Sequence, residues 1–203
     1  MFITFEGGEG TGKTTIISKL QTYFQQKNYD VVITREPGGS KIPEQIRKVI
    51  LDPKNTEITS ATEALLYAAA RAQHLDEIII PAIKADKLIL CDRYIDSSFA
   101  YQGYARNLGV EFVEKINTYA MQYLPNLTFY IDLDPNIGQE RLKKNRSHKI
   151  DRLDAESCSF HDKVRAGYLE IANQYANRFV VINGNQTVEA IYEEILNRIN
   201  EIL

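Results

Sequence analysis

The chain is short of several things, and each shortage excludes something. Two cysteines among 203 residues, Cys91 and Cys158, cannot build a disulfide framework. Both read as small core or surface residues of a reducing compartment. Three histidines, His74, His148 and His161, fall in no metal-ligand spacing, so no zinc site is expected. No stretch approaches about 18 consecutive apolar residues, and the N-terminus has no basic region ahead of a long apolar one. A cytoplasmic protein without a membrane partner is therefore expected. Positive charge is not in excess: a net charge of −3 argues against a chain that coats nucleic acid, and no nucleic-acid partner is expected. Repeats, low-complexity tracts and linkers are missing too. What is present is ordinary for a globular chain, and the length suits one α/β domain over residues 1–203.

The informative stretch is the first fifteen residues. Phe2-Ile3-Thr4-Phe5-Glu6 reads as a strand, and Gly7-Gly8-Glu9-Gly10-Thr11-Gly12-Lys13-Thr14-Thr15 follows it. Gly7, Gly12, Lys13 and Thr14 meet the pattern G-x-x-x-x-G-K-[ST] between a strand and a helix, the context that gives the pattern meaning. Glycines let backbone N–H groups surround phosphate oxygens, and the following helix points its positive end at the same place. Gly7 to Thr15 are thus expected to cradle a nucleoside triphosphate. Lys13 would reach the β- and γ-phosphates, and the Thr14 hydroxyl would ligate Mg²⁺.

Beyond the loop, strand-like and helix-like runs alternate. Strands are expected at Val31–Thr34, Lys87–Cys91, Leu127–Asp132 and Phe179–Ile182. Helices are expected from about Pro43, from a Ser60–Glu63 capping box with Leu65, Leu66, Ala69 and Ala72 inward, and from Gly109 to near Tyr123. Two more follow Asp134-Pro135 and an Asp154 cap, and a last one, capped by Thr187, turns Val188, Ile191, Ile195, Ile199 and Ile202 to the core. Such alternation predicts a five-stranded parallel sheet with helices on both faces, of the P-loop NTPase type. Ligands of such sheets bind beyond the strands' carboxyl ends. The phosphate loop, Arg35-Glu36-Pro37, Asp92-Arg93-Tyr94 and Asn183-Gly184 all fall there.

Asp92 closes a buried strand, where a carboxylate can hold Mg²⁺ or merely cap a turn. Arg93 and Arg35 end neighbouring strands and suit bidentate phosphate recognition. Arg141, Lys143, Lys144, Arg146, Lys149 and Arg152 form a basic stretch, read as a small mobile lid over about 141–152 that closes on ATP. No guanine-recognition motif is in place, which excludes a GTPase switch. Phosphoryl transfer to a small acceptor remains, and an acceptor that is itself a phosphate needs no general base.

These motifs resemble the bacterial thymidylate kinases, which phosphorylate dTMP with ATP. Phe5 to Thr15, Arg35-Glu36-Pro37-Gly38-Gly39, Asp92-Arg93-Tyr94, Ser97 to Gly103 and Asp151-Arg152 carry the resemblance. It implies that Glu9 accepts from the deoxyribose 3′-hydroxyl and that Arg71, with Tyr67 stacking, reads the thymine. It implies that Arg35, Pro37, Arg47 and Arg93 surround the acceptor phosphate. Ser98 and Gln102 would line the base pocket, and Tyr101 would exclude a ribose 2′-hydroxyl. Asn183 and Gln186 would lie beside the adenine. The phosphate loop has no basic residue at its variable positions, so Arg146 and Lys149 would supply catalytic charge along with Lys13 and Arg93. The resemblance also implies a homodimer. A kinase for another nucleotide or nucleoside, and a silent ATP-binding regulator, stay open at this point.

Overall fold

The computed structural model describes residues 1–144 and 151–203. Phe2-Ile3-Thr4-Phe5-Glu6 forms β1 (Phe2–Glu6), buried along its whole length. The glycine loop leads into α1 (Lys13–Gln26), which turns Ile16, Ile17, Leu20 and Phe24 inward at helical spacing. β2 (Val31–Arg35), α2 (Lys41–Leu51) and α3 (Ser60–His74) follow. A π-helical turn, Leu75–Ile79, joins α3 to α4 (Ile80–Lys84). Pro81 lies in the first turn of α4, where its missing N–H costs little, so the helix restarts there. β3 (Leu88–Asp92) ends in α5 (Ile95–Ser98) and a second π-helical stretch, Phe99–Ala105. Next come α6 (Val110–Ile116), β4 (Leu127–Asp132), α7 (Pro135–Lys144), α8 (Cys158–Gln174), β5 (Phe179–Asn183) and α9 (Val188–Asn200).

Among the described residues the sheet has five strands in the order β2-β3-β1-β4-β5, all parallel. Register aligns the carboxyl ends: Asp92 lies opposite Phe5 on one side and Arg35 on the other, and Asp132 lies opposite Asn183. Apolar side chains cover both faces. Ile3, Phe5, Leu90 and Phe129 pack with Leu20 and Ile195, while Phe2, Ile89 and Tyr130 pack with Leu75, Phe99 and Tyr168. Each such side chain, fully buried, contributes roughly 1.5–3 kcal/mol. Charge is also buried. Asp96 is fully enclosed, paired with Arg178 at 2.6 Å and hydrogen-bonded by Thr128, whose hydroxyl meets that of Thr4.

Several local expectations are corrected. α3 buries Ala64, Tyr67, Ala70, Arg71 and His74, and leaves Leu65 52% exposed, so its apolar Leu65–Ala72 stripe is the outer one. The inner face tolerates polar residues because each finds a partner. The N-cap is Thr59, whose hydroxyl accepts from the Thr62 N–H, and Glu63 turns inward instead of closing a capping box. The helix expected up to Tyr123 stops at Ile116, because Asn117 folds back to donate to the Val113 carbonyl and accepts from Arg71; a 3₁₀ turn follows at Ala120–Gln122. Ser157, not Asp154, caps α8, accepting from the Phe160 N–H at 3.2 Å. α9 ends at Asn200, which leaves Ile202 half exposed.

Candidate active site

The loop between β1 and α1 is wrapped around the Lys13 ammonium, which donates to the Gly7 carbonyl (3.1 Å), the Gly8 carbonyl (2.9 Å) and the Thr11 hydroxyl (3.2 Å). Burial, with Arg93 nearby, pulls its pKa below the usual lysine value, against the opposing pull of Glu9 and Asp92. An anion beside Lys13 would relieve that burden. At the loop's apex Gly10 has φ +73°, and its backbone touches Gly138 of α7. A Cβ on Gly10 would fall 2.5 Å from the Gly138 carbonyl oxygen, and one on Gly138 would fall 2.4 Å from that of Glu9. Only bare backbone fits on both sides. At the start of α1 the Thr14 hydroxyl donates to Asp92 Oδ2 at 3.2 Å, and the second oxygen of Asp92 is buried without a hydrogen-bond partner among the described residues.

A cleft of about 400 Å³ runs from this loop across the ends of β3 and β2. Its walls include Glu9 to Thr15, Arg35, Pro37, Arg47, Tyr67, Arg71, Asp92, Arg93, Tyr101 and Gln102. Arg93 is part of its wall, with φ +68°, a backbone region that non-glycine residues rarely adopt. Its guanidinium pairs with Glu9 at 2.5 Å, donates to the Tyr168 hydroxyl at 3.2 Å and lies 5.5 Å from the Tyr101 ring centre. Arg35 pairs with Glu44 at 2.8 Å, and Arg47 donates to the Pro37 carbonyl. Burial and the nearby charge of Arg35 push the Arg47 pKa down, so two cations face the same space. Arg71 is 1% exposed; four of its N–H groups are taken by Glu36, Asn117, Ser98 and the Tyr94 carbonyl.

Some expected residues lie elsewhere. Ser98 is behind the cleft wall, accepting from Arg71 rather than lining the space. Gly8 lines an adjoining hollow with Tyr130, His161 and Tyr168. Asn183 and Gln186 are outside the cleft, joined by a hydrogen bond from the Gln186 amide to the Asn183 carbonyl. Arg141 reaches across to donate to the carbonyls of Gly10 and Gly184. Arg152 donates to the Ile50 carbonyl and to Glu63. Arg146, His148 and Lys149 lie outside the described residues.

The site also rests on carboxylates that sequence reasoning missed. Glu6, at the end of β1, is fully buried and accepts from the Tyr94 N–H, the Ser97 hydroxyl and the Tyr168 hydroxyl. Burial, then the nearby charge of Asp96, raises its pKa to about 7 against the pull of Arg93. Glu36 holds Arg71 at 2.7 Å and His74 at 2.9 Å. An acidic residue closing a mostly apolar strand was the available signal for Glu6. Nothing in the local pattern marked Glu36, which sits inside a motif credited to its neighbours.

Comparison with known proteins decides the family, because a family model described as thymidylate kinase matches residues 5–195. The chain belongs to the thymidylate kinase family. Among curated members, a thymidylate kinase from Acholeplasma laidlawii (strain PG-8A) is 65% identical over 98% of both chains. One from Geobacillus sp. (strain WCH70) is 55% identical, over 94% of this chain and 91% of its own. A solved thymidylate kinase from Ehrlichia chaffeensis matches with a TM-score of 0.80 at 31% identity, covering 98% of each chain. The thymidylate kinase fold thus accounts for the parallel sheet and for the position of the cleft at its carboxyl edge.

Proposed function

We propose that the chain transfers the γ-phosphoryl group of Mg²⁺-bound ATP in line to the 5′-phosphate of dTMP. Membership of the family makes it a nucleoside monophosphate kinase that phosphorylates dTMP with ATP as donor, in nucleotide biosynthesis. The observation that carries the finer reading is the continuity of the cleft. One cleft is lined both by Lys13, Thr14 and Asp92 and by Arg35, Arg47, Tyr67, Arg71 and Arg93. A donor on the phosphate loop and an acceptor against Arg35 and Arg47 would bring the transferred group to Arg93.

Asp92 and Thr14 fit a magnesium ion. One Asp92 oxygen is buried without a partner, and the other already meets the Thr14 hydroxyl. Held there, Mg²⁺ would neutralise charge on the donor's phosphate oxygens. The acceptor phosphate is largely ionised near neutral pH, since its second pKa is about 6, so no general base is required. The protein's part is placement and charge: Lys13 on the donor, Arg35 and Arg47 on the acceptor, Arg93 on the group in transit. Glu9 would serve the sugar hydroxyl and Tyr101 would close the space beside it. A lid over about 141–152, with Arg146 and Lys149 as its charge, belongs to the same proposal. So do Asn183 and Gln186 beside the adenine.

The working form is read as a cytoplasmic homodimer. The outward apolar residues Ile42, Val49 and Leu65 on α2 and α3 support an interface there, and two free cysteines, one exposed, suit a reducing compartment. Among the described residues no helix is long and apolar enough to cross a membrane. ADP formation with dTMP, dUMP, dCMP, AMP, GMP and thymidine offered separately tests the reaction. The best rate is expected with dTMP, and a better rate with another acceptor overturns the assignment. A sedimentation mass of one chain overturns the dimer.

A further inference from the structure

Glu63 is 1% exposed and takes no part in capping its helix. Four hydrogen bonds converge on its two oxygens. Oε1 accepts from the Gln102 amide (2.9 Å) and Arg106 Nε (3.2 Å), and Oε2 accepts from Arg106 Nη2 (3.1 Å) and Arg152 Nη2 (2.5 Å). That fills the acceptor capacity of a carboxylate and leaves it no alternative pose. Burial pushes its pKa up, but the hydrogen bonds from Arg106 and Gln102 outweigh this and hold it below the usual value. The group is an anion, which only accepts.

An anion dictates which end of a neighbouring amide faces it. Gln102 must present Nε2 to Glu63, so its carbonyl Oε1 points the other way. Gln102 lines the cleft although it is only 1% exposed. Oε1 has no hydrogen-bond partner among the described residues and is not sealed in protein. We propose that Glu63 is a positioning residue for base recognition, fixing the Gln102 amide so that an acceptor, and not a donor, faces the base. This rests on the dTMP reading and deepens it. Thymine and uracil carry N3–H and satisfy that acceptor. Cytosine carries a bare N3 and sets lone pair against lone pair, leaving a buried acceptor unpaired. The pocket's preference would thus be written in a carboxylate that never touches the base. The same carboxylate fastens Arg152, whose backbone N–H is also bound to the Leu51 carbonyl, so the wall behind the amide is pinned from three elements.

The test is a steady-state comparison of dTMP and dCMP for the wild-type chain, Glu63→Gln, Gln102→Leu and the double variant. A wild type that does not favour dTMP overturns the underlying reading, and that arm is separate from the variants. With Glu63→Gln the neighbouring amide is free to turn, so the dTMP-to-dCMP ratio of kcat/KM should fall about tenfold, chiefly through a higher KM for dTMP. The KM for ATP should stay within about twofold. Adding Glu63→Gln to Gln102→Leu should change the ratio no further. A ratio unchanged in Glu63→Gln, or an equal further fall in the double variant, overturns the proposal. If Glu63→Gln does not fold, Glu63→Asp takes its place: it keeps an anion for Arg106 and Arg152 but falls a methylene short of Gln102, and the same fall is expected.

Discussion

Replacing Glu6 by glutamine should make stability less dependent on pH, and the structure gives the size and sign. Glu6 is sealed beneath the phosphate loop, and its pKa is raised from 4.5 to about 7, first by burial and then by Asp96. Between those values the folded chain binds a proton that the unfolded chain has lost. Its contribution to stability is complete below about pH 4.5 and is lost as pH rises through about 7. At about 1.4 kcal/mol per pH unit, the full loss is about 3 kcal/mol. Glutamine copies the protonated shape and cannot ionise. Its carbonyl can accept from the Tyr94 N–H, and its amide can donate to the Ser97 and Tyr168 hydroxyls, which rotate to accept. For a chain of this length about 3 kcal/mol is about 6–12 °C in melting temperature. Melts from about pH 5 to about pH 8.5 at constant ionic strength should show wild type and Glu6→Gln coinciding at the acid end. They should then diverge by that amount, with the variant more stable, at the alkaline end. Parallel curves, or a wild type that is the more stable one at about pH 8.5, would refute the reasoning.

Three further outcomes are expected. Arg93→Ala should lower kcat by about 10³-fold or more while the melting temperature moves by less than about 5 °C; retention of activity within tenfold removes Arg93 from the transfer step. Asp92→Asn should raise the Mg²⁺ concentration for half-maximal rate about tenfold and leave the dTMP KM in place, and an unchanged Mg²⁺ requirement counts against the Thr14–Asp92 site. Asp96→Asn strands the Arg178 charge in the core and should cost about 3–5 kcal/mol, read as a fall of about 10 °C in melting temperature, with the activity of folded protein near normal.

The sheet was legible because its strands are short apolar runs ending in polar clusters, a signal that depends only on neighbours in sequence. Lys13, Thr14, Asp92 and Arg93 were legible for the same reason. What was hidden was burial of charge. Arg152 counts as one more cation in a basic stretch until the chain folds and places Glu63, from a helix 89 residues earlier, against it. Glu63 itself sits in the spacing of a capping box, and its inward turn depends on Arg106 and Arg152 arriving from elsewhere. α3 shows the point most plainly. Leu65 and Ala69 face out while Arg71 is buried beside Ala64, Tyr67 and Ala70, because Glu36, Asn117 and Ser98 satisfy it from three other segments. Periodicity ranks faces by hydrophobicity and has no knowledge of such partners.

The seam where Gly10 meets Gly138 makes two distant stretches one mechanical part. Neither position has room for a side chain, since a Cβ on either would meet the facing stretch's backbone within 2.5 Å. α7 runs on to Lys144 and is also tied to the loop by the Arg141 contact with the Gly10 carbonyl. The phosphate loop and the start of α7 thus share one packed seam, fixed by two glycines and one arginine contact. A single methyl group added at either glycine would force the loop and α7 apart.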